Sequence, residues 1–428
     1  MKPELQRSLR TPAIFLLGVN GVVGGGIFLL PGQVAKYAGA NAVWAVLTAG
    51  ALCLLIGLAY SEAGSMFNET GGSYVYARQG LGKTAGFSVG WMAWINYVVG
   101  WAVLSNGLAV YADTLIPAVK PFRSVLIVLV VGGLAWLNTH GAKKGALSLQ
   151  VLTVAKFMPL ILLVVYGVFF VSAPAGLSAV TVPHANFLKA VLLLVFAYGG
   201  FEMAAVPAGE MVNPRKTVAV AIIGTLVGVT LFYMLIQYAA LRIDPQLATA
   251  NAPLATVGRL MFAGGLTFMT IGALLSILGT KSGVALSSPR SLYALARDEV
   301  LPGWLATVHP VYKTPVAAIW TTAVFAMALA LSHSFSSLIL LNVVARLYEY
   351  LMVCVSVVAL RYRKRSRGLT GMRVPIAIPS TAALLCTVLL TNESVHQLLT
   401  AAACLFVGMG FYVLQRYRQR KTEELRYP

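Results

Sequence analysis

The chain has 428 residues, 58% of them hydrophobic and 11% charged, with a mean hydropathy of +0.80. Soluble globular proteins carry about 25% charged residues, so most of this surface must face lipid or other protein, and the chain reads as a polytopic membrane protein. The formal charge of +19 does not mark a nucleic-acid binder, because clusters such as RYRKRSRGLTGMR (361–373) and RYRQRKTEELR (416–426) directly follow apolar spans, where anionic lipid headgroups are the natural partners.

Apolar runs of helix length fall at 13–37, 42–67, 84–112, 124–139, 147–171, 187–208, 217–241, 258–288, 315–332, 336–360, 374–391 and 395–415. Each is long enough to cross, or nearly cross, a hydrocarbon core. This predicts an all-α protein of twelve transmembrane helices. A basic start (Lys2, Arg7, Arg10) precedes the first run. No small-residue cleavage site follows it, so it reads as a transmembrane helix and not as a secretory signal. Cys53, Cys354, Cys386 and Cys404 lie inside apolar runs without metal-type spacing and read as inert buried thiols.

Orientation follows from where the basic residues fall. With the N-terminus inside, the inner segments hold Lys2, Arg7, Arg10, Arg78, Lys83, Lys143, Lys144, Arg215, Lys216, Arg290, Arg297, Lys313 and the two C-terminal clusters. The outer segments and outer helix ends hold only Lys36, Lys120, Arg123, Lys189, Arg242 and Arg259. That asymmetry predicts cytoplasmic termini at both ends; the expected location is a bacterial-type inner membrane.

Span one is interrupted by NGVVGGGIFLLP (20–31). Each glycine inside a helix costs roughly 0.5–1 kcal/mol against alanine. Two readings are open. The glycines either let two helices approach closely, or they unwind the span so that bare backbone groups can hold a ligand. Span six repeats the pattern as FAYGGFEMAAVP, with Gly199–Gly200 followed by Pro207. Breaks at positions one and six of twelve are what two five-helix repeats of inverted topology produce. The expected organisation is one transporter domain: repeats at 13–171 and 187–360, two further helices at 374–415, and a basic tail at 416–428.

GGGIFLLPG, YSEAGSMFNETGGSYVYARQGLGKTAGFSVGW (60–91), FAYGGFEMAAVPAGEMVNPRKTVAVAI (196–222) and RSLYALARDEVLPGWLATVHPVYKTP (290–315) stand in this order along the chain. Together they resemble the amino acid–polyamine–organocation superfamily of transporters, over nearly the whole length. The resemblance implies a LeuT-like 5+5 inverted-repeat fold with helices one and six broken, alternating access, and an amino acid or related amine as substrate.

A zwitterionic amino acid needs donors for its carboxylate and acceptors for its ammonium. The second half of span one begins at Gly24–Gly26, so the amides of Gly25, Gly26 and Ile27 face an anion. The first halves of spans one and six end with unpaired carbonyls around Val22, Val23, Phe196 and Ala197. Glycine at 24–26, Gly199 and Gly200 allows direct backbone contact. The resemblance carries the same roles onto these positions, and it implies an aromatic gate at or near Phe196. Tyr198 is either a second flanking aromatic or a packing residue, and Trp94 on span three is a candidate pocket wall.

Charges deep in the spans call for a function, since each costs at least about 2.5–3.5 kcal/mol. Lys156 lies about nine residues from the inner end of span five, roughly 14 Å deep at 1.5 Å per residue. The resemblance implies that its ammonium stands where sodium-coupled relatives hold a sodium ion, and hence sodium independence with proton coupling or exchange. A lysine in a low-dielectric site can cycle its proton. Alternatively it is a permanent charge tying spans one and eight together. Glu202 has four candidate roles: pairing with Lys156, bonding the unwound backbone, sensing protons, or meeting a cationic substrate. Lys281, in ILGTKSGVAL, stands where many relatives have a small or amide residue; it either disfavours sodium further or snorkels to the cytoplasm. Arg346 and Glu349, three apart, read as an intrahelical pair. NPRK (213–216) and ARDEVLP (296–302) read as helix-ending hinges and lipid-surface anchors.

No metal cluster, cofactor motif or nucleophile–base pair is legible, so no enzyme is expected. The expected function is secondary amino acid transport, sodium-independent, by proton symport or exchange. Two alternatives stand beside it: an antiporter or exporter of cationic amino acids or polyamines, motivated by Glu202, and a nutrient sensor or scaffold that binds without moving its ligand.

Overall fold

The computed structural model describes residues 10–67, 71–140, 143–171, 186–206, 208, 211–312, 314–332, 335–362 and 372–426, with side chains not described for 143–154, 214–215 and 420–426. Pro207, most of the 361–373 cluster, Lys2, Arg7 and Lys313 therefore lie outside the described residues. Among the described residues the regular structure is helical: α1 (Thr11–Val22), α2 (Gly25–Leu29), α3 (Pro31–Ala38), α4 (Ala42–Met66), α5 (Ser73–Leu81), α6 (Lys83–Leu115), α7 (Arg123–Thr139), α8 (Lys143–Phe169), α9 (Phe187–Tyr198), α10 (Pro214–Ile243), α11 (Pro253–Met261), α12 (Gly265–Arg297), α13 (Val316–Ser332), α14 (Phe335–Tyr362), α15 (Ala377–Thr391) and α16 (Val395–Arg426). Nine helical stretches among them are long and apolar enough to cross a membrane, and the three shorter apolar helices Ala155–Phe169, Val316–Ser332 and Ala377–Thr391 occupy the remaining predicted spans. The protein is an all-α, multi-pass membrane protein.

Several boundaries differ from the sequence expectation. The predicted span at 258–288 is divided: α11 stops at Met261, Phe262 is extended, and Gly264 adopts φ 85° before α12 begins. NPRK does not end a helix. Pro214 opens α10, where its fixed φ suits the first helical turn and its missing N–H is not needed. The basic stretch after Gln415 does not leave the helix either, because α16 runs on to Arg426.

Glycine spacing explains how closely α4 and α10 pack. Gly50, Gly57 and Gly64 recur every seven residues on α4, and a Cβ at each would collide with Thr230, Leu226 and Val218 of α10 in turn. The descending partner numbers mean that α4 and α10 run antiparallel. Small residues on one stripe are what let membrane helices approach closely.

Outside the spans, two sequence motifs meet. The Tyr74 hydroxyl on α5 donates to Asp298 Oδ2 at 2.9 Å, and Arg78 Nη1 pairs with the same oxygen at 3.2 Å. SYVYARQG (73–80) and ARDEVLP are thus two halves of one clasp. Burial, and then the Asp298 charge, push the Tyr74 hydroxyl above the ordinary tyrosine range, which keeps it a neutral donor. Arg361, at the start of the first basic cluster, reaches inward: its Nε donates to the buried Glu62 at 2.7 Å, and Glu62 accepts the Val374 amide at 3.2 Å.

Candidate functional site

Both predicted breaks are present. Helix α1 ends at Val22; Val23 then departs from helical ψ, and Gly24 is extended at φ −127°, ψ −147°. Helix α9 ends at Tyr198; Gly199 is extended, and Gly200 takes φ 118° before the 3₁₀ turn Phe201–Ala205. That positive φ is accessible to glycine at little cost. The two breaks touch. A Cβ on Gly26 would stand 2.7 Å from Ala197 Cα, and one on Gly21 would stand 2.7 Å from the Gly200 carbonyl oxygen. The span is therefore unwound, and its glycines also let the other broken helix approach.

A helix that stops mid-span leaves its last carbonyls without amide partners. Two side chains fill that role here. Lys156 Nζ donates to the Asn20 carbonyl at 3.0 Å and to Asn20 Oδ1. The Tyr233 hydroxyl, on α10, lies 2.9 Å from the Val22 carbonyl and 3.3 Å from the Ala197 carbonyl, so it bridges the two breaks. At the second break, Glu202 Oε2 accepts the Gly200 amide at 2.9 Å and the Tyr350 hydroxyl at 3.0 Å. The Phe196 carbonyl accepts the Gly199 amide at 3.2 Å. The carbonyls of Val22, Phe196 and Ala197 thus already have donors, although a carbonyl oxygen has a second lone pair to offer.

A cavity of about 100 Å³ lies over the breaks. Of the sequence-predicted residues, Val22, Gly24, Gly25, Gly26, Phe196, Ala197, Gly199, Gly200 and Glu202 line it. Val23 and Ile27 are buried beside it without lining it. Tyr198 turns away: its hydroxyl donates to the Val46 carbonyl on α4 at 3.0 Å, so it is a packing residue in this structure. Trp94 also lies off the cavity. Its indole N–H is taken by Thr322 Oγ1 on α13 at 3.1 Å, and its ring packs on Trp91 and Phe325. The cavity-facing side of α6 instead presents Asn96, Tyr97, Gly100 and Leu104.

The buried charges sort differently from expectation. Lys156 is fully buried and bonds to α1; it does not meet Glu202. Lys281 is equally buried and does not snorkel: Nζ donates to Ser105 Oγ on α6 at 2.8 Å. Arg346 is not the intrahelical partner of Glu349. Its Nη1 stands 3.8 Å from Glu202 Oε1, whereas Glu349 accepts the Tyr60 hydroxyl at 3.1 Å. The helical spacing of 346 and 349 permits a pair, but the unwound second break brings Glu202 close to the guanidinium. Sequence reasoning missed Asn96 and gave Arg346 the wrong partner, although both are polar groups inside spans and thus carry the signal. It also missed Tyr233, which no charge or glycine marks.

The family model described as amino acid permease matches residues 9–411. The serine/threonine exchanger SteT of Bacillus subtilis is 30% identical over 370 residues, 82% of each chain. The branched-chain amino acid permease BcaP of the same organism is 24% identical over 447 residues, 98% of this chain and 95% of the relative. The mitochondrial cationic amino acid transporter 3 of Arabidopsis thaliana is 26% identical over 390 residues, 84% of this chain and 63% of the relative. These relatives are transporters, not enzymes, and they support amino acid transport and the binding of a small-molecule substrate. With two touching helix breaks under one buried cavity and a family match over almost its whole length, the chain belongs to the amino acid permease family of the amino acid–polyamine–organocation superfamily.

Proposed function

We propose that this permease is a sodium-independent secondary transporter that moves an amino acid by alternating access, through proton symport or exchange. The observation that carries the reading is Lys156, a buried ammonium bonded to the broken end of α1. A cation fixed there leaves no call for a sodium ion at that break. Lys281, a second buried cation, adds to the same bias. The first half of the chain (13–171) and the second (187–360) act as inverted repeats around the breaks, with the two final helices outside them.

In this reading the substrate carboxylate takes the amides of Gly25, Gly26 and Ile27, and the ammonium takes carbonyls at the ends of α1 and α9. Phe196, which lines the cavity, serves as the gate. Lys156 couples transport to protons, with Glu202 and Lys281 as the other charged groups near the path. The protein sits in a bacterial-type inner membrane with both termini cytoplasmic and its basic segments on anionic headgroups.

The relatives divide between hydroxyl, branched-chain and cationic substrates, so they do not choose one. Glu202 is the feature that would favour a cationic amino acid or polyamine, but its unbonded oxygen faces Arg346. The test is uptake of labelled amino acids into proteoliposomes, with sodium and pH gradients imposed separately. Uptake that needs sodium would overturn the proposal.

A further inference from the structure

The cavity wall carries donor groups whose hydrogen-bonding capacity is not filled. Arg346 is 7% exposed and Asn96 1%, and both line the cavity. Arg346 Nη2 donates to Asn96 Oδ1 at 3.3 Å. Its Nη1 and Nε have no hydrogen-bond partner, and neither has Asn96 Nδ2. The nearest carboxylate oxygen, Glu202 Oε1, stands 3.8 Å from Nη1, an ion-pair distance outside hydrogen-bond range. Nor is the Asn96 amide reversed: Asn342 Nδ2 donates to its carbonyl and to its Oδ1, both at 2.7 Å. Turning the amide over would set Nδ2 against two donors.

Three nitrogens without hydrogen-bond partners thus belong to two residues that line the cavity, and among the lining residues one oxygen, Glu202 Oε1, is likewise unfilled. A buried polar group without a partner is unfavourable, and a surplus of donors calls for an acceptor. The placement is also built in by the sequence. The Arg346 guanidinium occupies the space that a Cβ on Gly199 would fill, so the glycine at the second break is what admits it. A pair serving only to hold α14 to the second break would be expected to close into the two-bonded geometry that guanidinium and carboxylate favour. Here Glu202 Oε2 is held by Gly200 and Tyr350 instead.

We propose that Arg346, with Asn96, forms the side-chain subsite of the substrate cavity and selects amino acids whose side chain carries an oxygen acceptor, while excluding those that end in a cation. This rests on the reading of the cavity as the amino acid site, in which the backbone of the two breaks takes the α-carboxylate and α-ammonium. Arg346 is then left for the rest of the substrate. Hydroxyl, amide and carboxylate share the acceptor chemistry, and ligand choice separates them.

The experiment is thermal stabilisation of the purified full-length protein, titrated with serine, glutamate, glutamine, norvaline and ornithine. Wild type is expected to bind at least one of the first three at least tenfold more tightly than norvaline or ornithine. Arg346→Gln should shrink that ratio to about threefold or less. Glu202→Gln with Arg346→Gln, which removes both charges together, should shrink it equally even if the single variant folds poorly. Gly199→Ala, which displaces the guanidinium without removing it, should move the ratio in the same direction. The inference is overturned, and the amino acid reading survives, if wild type binds norvaline or ornithine as tightly as the acceptor-bearing ligands. It is equally overturned if the variants weaken every ligand by the same factor or leave the ratio unchanged. If wild type binds none of the five nor any other amino acid, the underlying reading falls and takes the inference with it.

Discussion

The Lys156 ammonium donates to both oxygens of Asn20, the backbone carbonyl at 3.0 Å and the side-chain amide oxygen. A lysine from α8 thereby caps the broken C-terminal end of α1, where the helix dipole favours positive charge. Replacing it leaves a buried carbonyl without a donor, which costs about 1–3 kcal/mol. Lys156→Met, which keeps the length of the chain, is expected to lower the melting temperature by several degrees. In proteoliposomes the variant should also lose the wild-type response of uptake to an imposed pH gradient. A variant that transports with an unchanged pH response would remove the coupling role and leave Lys156 as a cap alone.

Tyr233 makes the same kind of contact to both breaks. Tyr233→Phe keeps the ring on Tyr198 and deletes the hydroxyl that reaches the Val22 and Ala197 carbonyls. The expected loss is about 1–3 kcal/mol of stability, with a severalfold rise in the KM of uptake because the binding backbone is less well held. Unchanged KM and melting temperature would show that the bridge is dispensable.

The clasp outside the spans should matter little for stability. Arg78 and Asp298 are 30% and 22% exposed in their side chains, and a partly exposed ion pair is worth about 0–1 kcal/mol. Asp298→Asn is expected to shift the melting temperature by about 2 °C or less, because Asn still accepts the Tyr74 hydroxyl. A drop several times larger would mean that the clasp holds α5 to α12 far more firmly than its exposure implies.

Sodium independence is tested by exchanging the cation. Replacing sodium with choline on both sides of the liposome membrane should change the uptake KM less than about twofold, since a structural ammonium leaves no sodium affinity to lose. A tenfold change, about 1.4 kcal/mol, would require a sodium site that two buried lysines do not supply.

The pattern of spans was legible because hydropathy is set residue by residue, and the breaks because consecutive glycines are costly in helices. Trp94 and Tyr198 could not be placed from the sequence for a different reason. Their direction depends on how α6 and α9 are rotated against their neighbours, and Thr322 and Val46, which take their polar atoms, are far away in sequence. The partner of Arg346 was likewise hidden. Local spacing pointed to Glu349 on its own helix, but the unwound second break presents Glu202 to the guanidinium. Tyr233 carries no signal at all until α10 is packed behind both breaks.

The central claim is that the backbone at the two facing breaks binds the substrate, and Gly25→Val tests it most directly. A Cβ there presses on the Leu104 and Ile277 side chains, not on backbone, and the further methyls of valine overpack the site at a cost of about 1–3 kcal/mol, so the melting temperature is measured alongside to show that the variant folds. Wild-type protein at about 100 times Kd should gain about 2.7 kcal/mol of stability from its amino acid. The account predicts that Gly25→Val shows neither this stabilisation nor saturable uptake. A folded Gly25→Val protein that is stabilised and transports like wild type would contradict it.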